Sequence, residues 1–361
     1  MKYFNLFSNI LITKGAGRIL ISDLQRNVSE LYPLELYEIT EDLKKYSIEN
    51  MMNDYDEDSK NIIQEYLDIL LEKEYGFITE NDWNKNFPPL SHEYHEPSLI
   101  ADIFMEMDDI SLLEKIKPSI ENLGVKHLTI YSTKTLSAQD IINIDKTFET
   151  SVLSGIEIFS PFKREIDQTS IKLLHNHTSR IYNIIFYNCP APHFKAKDEY
   201  RFTLHYIEED LKISSCGKVD LKYFNTNLPK VLEAINHNSC LHKKIGIDKA
   251  GNIKNCPLMK ESFGNMENST LEEVIEQPGF KKYWSVTKDL IETCKDCEFR
   301  YVCTDCRAYT EDALKKKQSL DTSKPLKCGY NPYICKWEDW AANPLKTEII
   351  HLYDLTGIQI T

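Results

Sequence analysis

Apolar and polar positions alternate in three styles along the chain, and each style predicts a different kind of structure. Residues 1–92 begin with short strand-like runs, Tyr3–Thr13 and Arg18–Ile21. They continue with a helical pattern from Ser59 to about Lys73 that places Ile63, Leu67, Leu70 and Leu71 on one face. Glu74–Glu80 follows as a turn and strand, and helix then hairpin suggests a small winged-helix-like unit. The Pro- and His-containing stretch 86–97 marks the first boundary.

Residues 98–190 alternate regularly. Strands are predicted at Leu99–Met105, Lys126–Tyr131, Gly155–Phe159 and Arg180–Phe186, with helices near 110–123, 137–150 and 165–177. Ser137 with Asp140 forms a capping-box pattern, and Gly124 suits a helix end. Strand–helix repetition of this kind predicts a parallel sheet, and four such steps make a partial (βα) barrel or a small open sheet. A strand over Phe202–Tyr206 and a helix over Leu228–Ile235 come next. Ser269 and Glu272 read as a second capping box, and Thr347–Leu352 as a last strand. The fold class is therefore α/β. The domains are expected at 1–92, 93–238, 239–336 and a tail, 337–361.

Composition narrows the function. The chain has 361 residues, 43 basic and 56 acidic, for a net charge of −13, which argues against a nucleic-acid binder. No run approaches the roughly 18 apolar residues of a membrane span. The opening run is broken by Asn5 and Asn9 with no cleavage site behind it, which points to a cytoplasmic protein. Residues 240–336 carry 17 Lys and Arg against 14 Asp and Glu, a mildly basic surround suited to offsetting metal-bound thiolates.

Eight of the ten cysteines lie in that same stretch. Cys240 and Cys256 flank a predicted hairpin, Ile245–Ile247 and Ile253, turned at Gly251. Cys294-Lys-Asp-Cys297 and Cys303-Thr-Asp-Cys306 are two CxxC pairs separated by only Glu298–Val302. Zinc ribbons place roughly 12–20 residues between such pairs. The compact run reads as serving two sites, with Cys303 and Cys306 facing different ways and Cys328 and Cys335 completing the ligand sets. Thiolates alone suit iron–sulfur clusters and zinc equally.

The order of these cysteines, in CLHKKIGIDKAGNIKNCPLM, CKDCEFRYVCTDCRAYT and KPLKCGYNPYICKW, resembles the SPASM domain of radical S-adenosylmethionine peptide maturases, and in detail those of grasp-with-spasm systems. The resemblance implies two 4Fe-4S clusters, one on Cys240, Cys256 and Cys306, the other on Cys294, Cys297, Cys303 and Cys328. It implies a precursor peptide and an ATP-grasp ligase as partners in ribosomal peptide modification. Relatives carry a further cysteine where this chain has Ala234. Cys335 is the expected fourth ligand of the first cluster, with Cys216, His242 or an open iron as alternatives. No C-x3-C-x2-C occurs, and EMDDISLLEK follows the first barrel strand without a cysteine, so the usual S-adenosylmethionine cleavage is not expected. The alternatives are a redox-active maturase using its clusters directly and a structural zinc protein. Residues 1–92 resemble a leader-peptide-binding module.

Of the rest, Cys189 reads as a core cysteine, and His175 with His177 as a surface pair. His92, His95 and His193 read as loop histidines. Gly15-Ala-Gly17 is too short for a phosphate loop. Trp337 and Trp340 are expected to shield a cluster from water.

Overall fold

The computed structural model of the protein describes residues 1–83, 88–190, 200–314 and 320–355. The predicted boundary at 86–97 and loop histidine His193 fall partly or wholly outside these residues.

The N-terminal unit starts with four strands: β1 (Tyr3–Leu6), β2 (Ile10–Lys14), β3 (Arg18–Asp23) and β4 (Val28–Pro33). Three helices follow, α1 (Glu35–Leu43), α2 (Ile48–Met52) and α3 (Glu57–Glu72), then β5 (Gly76–Thr79). Strands β2, β3 and β4 form an antiparallel meander. The expected helix-then-hairpin is built differently. The strand after α3 pairs antiparallel with β1, Tyr3 opposite Thr79, so the two ends of the unit are joined. Asp56 caps α3 by accepting from the Ser59 N–H, and Ile63, Leu67 and Leu70 are its buried stripe. They meet Leu36 and Leu43 of α1 in one apolar cluster. Each such leucine contributes about 2 kcal/mol on burial.

The large sheet is assembled from β6 (Asp102–Met107), β7 (His127–Ser132), β8 (Gly155–Pro161), β9 (Ile181–Tyr187) and β10 (Thr203–Tyr206). Between them run α4 (Leu112–Leu123), α5 (Ala138–Thr147) and α6 (Gln168–His177). All neighbouring strands are parallel. Ser137 and Asp140 form the capping box of α5, and Gly124 ends α4 with φ +70°. Alternate strand residues (Ile103, Met105, Leu128, Ile130, Ile156, Ile158) face the helices and make the main core.

After α7 (Leu228–Asn236) comes the hairpin β11 (Lys244–Ile247) and β12 (Asn252–Lys254), then β13 (Gly264–Asn265). Strand β11 lies parallel to β6, Lys244 opposite Asp102, giving the order β10-β9-β8-β7-β6-β11-β12-β13. The sheet thus runs on across residue 238 into the cysteine-rich part. Helix α8 (Leu271–Ile275) is capped by Thr270 and Glu273, one residue later than read from sequence. Glu272 instead accepts from Ser119 and Asn122 of α4, at 2.6 and 2.8 Å. A two-stranded hairpin, β14 (Tyr330–Asn331) and β15 (Lys336–Trp337), precedes α9 (Thr347–Leu352). The expected strand at 347–352 is this helix, because Ile349, Ile350 and Tyr353 pack at helical spacing into a cluster with Tyr309 and Trp340. Among the described residues no helix is long and apolar enough to cross a membrane.

Candidate metal centres

Four thiols converge on one cavity. Cys294, Cys297, Cys303 and Cys328 line it with Phe224, Phe299, Tyr330 and Trp337. The local backbone explains the convergence. Cys294–Asp296 is a single 3-10 turn closed by the Cys297 N–H on the Cys294 carbonyl at 3.0 Å. The following turn, with the Cys303 N–H on the Phe299 carbonyl at 3.0 Å, brings Cys303 back toward the first pair. Burial raises the Cys294 thiol to about 12, against the pull of Lys288, with Cys328, Asp305 and Cys303 pushing the same way as burial. Cys297 and Cys303 are likewise raised, chiefly by burial. Lys288, 4% exposed, stands 3.4 Å from the Cys303 sulfur.

A second set forms around Cys306. Burial holds the Cys256 thiol well above its ordinary value, and Cys240, Cys216 and Cys306 raise it further. Cys240 is raised by burial, with Cys306 and Cys216 among its charged neighbours. Cys216 keeps accessible surface, yet burial and then Cys306 raise its thiol to about 11. The next residue, Gly217, has φ +83°, and a Cβ there would come within 2.6 Å of the Cys306 sulfur. No side chain fits so close an approach. Lys327, 1% exposed, donates to the Cys216 carbonyl at 2.8 Å and lies over the Tyr309 ring. Burial lowers it to about 8, against the opposing pull of Cys306 and Cys216.

Asp305, between Cys303 and Cys306, joins the two sets. It accepts from Arg307 Nη2 at 2.9 Å and from Asn238 Nδ2 at 2.8 Å, with Lys288 Nζ at 3.9 Å. Asn238 Oδ1 in turn accepts from the Cys240 and Leu241 N–H groups. One buried carboxylate therefore ties the chain before Cys240 to the chain after Cys303. Reading from sequence missed Asn238, Lys288, Asp305, Arg307 and Lys327, and had Cys216 only as an alternative to Cys335. The one available signal was charged residues written directly beside cysteines.

Cys335 is brought elsewhere. Its thiol faces the Pro332 carbonyl at 3.6 Å in the β14–β15 turn, against Gly17, where a Cβ would meet its sulfur at 2.6 Å. The β14–β15 turn thus lies against the β2–β3 turn of the N-terminal unit. His242 stacks on His237 with ring centroids 3.7 Å apart and faces Glu233. Cys189 is buried beside Tyr206. His175 accepts from the Arg201 N–H, and His177 is exposed. His95 pairs with Glu93 at the surface, and the His92 carbonyl accepts from Asn236. Trp337 lines the first cavity, while Trp340 packs in the cluster that holds Cys306.

The β2–β3 turn, Gly15-Ala-Gly17, is a docking element. The Ala16 N–H donates to the Asp296 carbonyl at 2.8 Å, and Arg300 donates to the Lys14 carbonyl at 2.7 Å. Arg18 pairs at 2.5 Å with Glu298, which is fully buried and also bound by Tyr330.

Among the described residues no group of three or more His, Cys, Asp or Glu side chains is arranged to hold a metal ion. The donor sets are nevertheless all sulfur, buried or partly buried except for Cys216, and flanked by lysines. A cubane places each thiolate on its own iron, so its four sulfurs stand farther apart than four ligands on one ion. Cys294, Cys297, Cys303 and Cys328, which line one cavity, are donors of the kind a cluster takes.

Residues 240–298 match the family model SPASM, described as an iron–sulfur cluster-binding domain. No curated protein matches. Among solved structures, Streptococcus suis SuiB bound to S-adenosylmethionine overlays with TM-score 0.38 at 9% identity, covering 92% of this chain and 100% of that one. SuiB bound to precursor peptide SuiA overlays with TM-score 0.36 at 9% identity, covering 88% and 97%. Overlays this loose carry no weight for this chain.

Proposed function

We propose that this protein is a SPASM-type component of a ribosomal peptide modification system, holding two 4Fe-4S clusters, binding a precursor peptide and working beside an ATP-grasp ligase. One cluster would sit on Cys294, Cys297, Cys303 and Cys328. The other would sit on Cys240, Cys256, Cys306 and Cys216, the last in the place that Cys335 was expected to fill. The observation that carries the reading is the gathering of eight thiols into two fours, each beside a buried lysine. Lys288 and Lys327 offset thiolate charge that burial otherwise opposes.

Bound clusters would supply structural cross-links and, if reduced, electrons. The chain's own residues do the rest: Asp305 and Asn238 hold the ligand segments in register, while Trp337, Phe299 and Tyr330 exclude water. The segment between β6 and α4 holds no cysteine and the sequence has no C-x3-C-x2-C, so S-adenosylmethionine cleavage is not part of the proposal. The N-terminal unit is assigned to leader recognition.

Anaerobic purification with iron, sulfide and zinc quantification tests this. Wild type should carry about eight irons. Cys216→Ala should lose part of one cluster's iron or its stability, whereas Cys335→Ala should keep all of it. Zinc without sulfide, or equal iron in wild type and Cys216→Ala, would overturn the assignment. Removal of residues 1–92 should weaken precursor binding at least tenfold by calorimetry, and unchanged affinity would remove the leader-binding role.

A further inference from the structure

A cavity of about 190 Å3 opens at the amino ends of β6 and β7, under α7. No cysteine lines it, and its volume is well above the roughly 10–15 Å3 that one water needs. Its wall includes Glu233 of α7, whose side chain is 5% exposed. Three partners approach that carboxylate and stop short of hydrogen-bond distance: Lys230 Nζ at 3.6 Å, His242 Nδ1 at 3.7 Å and Lys244 Nζ at 4.0 Å. His242 is itself 5% exposed, and its Nδ1 has no hydrogen-bond partner.

A second carboxylate, Asp102 of β6, faces the same space 3.4 Å from His127. Burial raises both carboxyls, but their imidazole and lysine neighbours outweigh it and keep them ionised. Tyr94 stands edge-on to His242 and close to both carboxylates. The lysines nearby are partly committed elsewhere. Lys243 donates to the carbonyls of Glu96 and Ser98, and Lys244 to the carbonyl of Ser239 at 3.0 Å. Glu233, buried with its three partners beyond hydrogen-bond distance, and Asp102, about one-third exposed beside His127, thus face an open space with an aromatic wall, and a buried carboxylate gains from a donor at hydrogen-bond distance.

We propose that this cavity binds an organic cation, a guanidinium or ammonium group, which donates to Glu233 and Asp102 and lies against Tyr94 and His242. Charge-assisted hydrogen bonds of the fork type satisfy two carboxylates at once, and a cation gains from aromatic faces. Lys126 and Lys230 also line the cavity and are placed to meet a carboxylate on the same ligand. The group is therefore either a side chain of a bound peptide or part of a free small molecule. The site does not depend on the clusters or on the peptide-binding assignment.

Calorimetry on the full-length protein tests it with four probes: agmatine, free arginine, acetyl-Gly-Arg-Gly-amide and the citrulline version of that peptide. The arginine-bearing probes should bind, and the uncharged citrulline isostere should bind at least tenfold more weakly. Binding of the peptide but not free arginine assigns the site to a peptide side chain; tighter binding of free arginine assigns it to a small zwitterion. Glu233→Gln and Asp102→Asn, each checked for folding by circular dichroism, should each weaken binding about tenfold or more. Equal affinity for citrulline, wild-type affinity in both variants, competition by inorganic phosphate, or no binding at millimolar probe would each overturn the proposal.

Discussion

Asp305 and Arg307 are the residues on which the cysteine-rich part turns. Both side chains are essentially without solvent, 1% and 0% exposed, and they pair at 2.7 Å. A buried pair of this kind contributes little compared with an apolar replacement, but breaking it strands a charge. Asp305→Ala should therefore destabilise the protein by about 3–5 kcal/mol in urea unfolding, with loss of iron from both thiol sets, because the same carboxylate holds Asn238 and neighbours Lys288. A change confined to one set would show that Asp305 does not join them. The basic residues of the cysteine-rich stretch are legible in sequence as a charge balance. That two of them are buried, Lys288 against the Cys303 sulfur and Lys327 on the Cys216 carbonyl, is not legible, since burial depends on what lies opposite.

At the scale of elements, local rules were strong where one helix or one turn decides the outcome. Gly124 closes α4 in the left-handed region, and a Cβ there would meet only Ser98 at ordinary contact distance. The cost of Gly124→Ala is thus conformational, about 1–2 kcal/mol, measurable as a lower denaturation midpoint with an unchanged slope. A neutral result would mean that α4 ends otherwise. The capping box at Ser137 and the amphipathic α3 were equally readable. The last helix was misread as a strand because Thr347–Leu352 is too short for periodicity to separate the two. Only the pocket offered by Tyr309, Trp340 and Leu355 selects the helix.

Across the whole molecule, the N-terminal unit is fastened to the cysteine-rich part through the β2–β3 turn and the Arg18–Glu298–Tyr330 contact. Arg18→Met leaves the buried Glu298 with the phenol alone. It should cost about 1–3 kcal/mol and speed proteolytic release of the N-terminal unit, while leaving the thiol sets their iron. Equal protease resistance would show that the turn docks without this pair. The acidic net charge of −13 is a surface property and does not bear on this joint.

The sequence by itself determined which side chains are available as ligands, the order of the parallel strands and helices, and the CxxC turns, because these depend on neighbours within a few residues. Tertiary structure decided that β11 joins β6, that the Gly15–Gly17 turn is a clasp, that Cys216 neighbours Cys240, Cys256 and Cys306, and that Cys335 lies at Gly17. Those outcomes depend on segments that lie from 24 to 318 residues apart along the chain, and local patterning carries no information about which distant surface will arrive opposite.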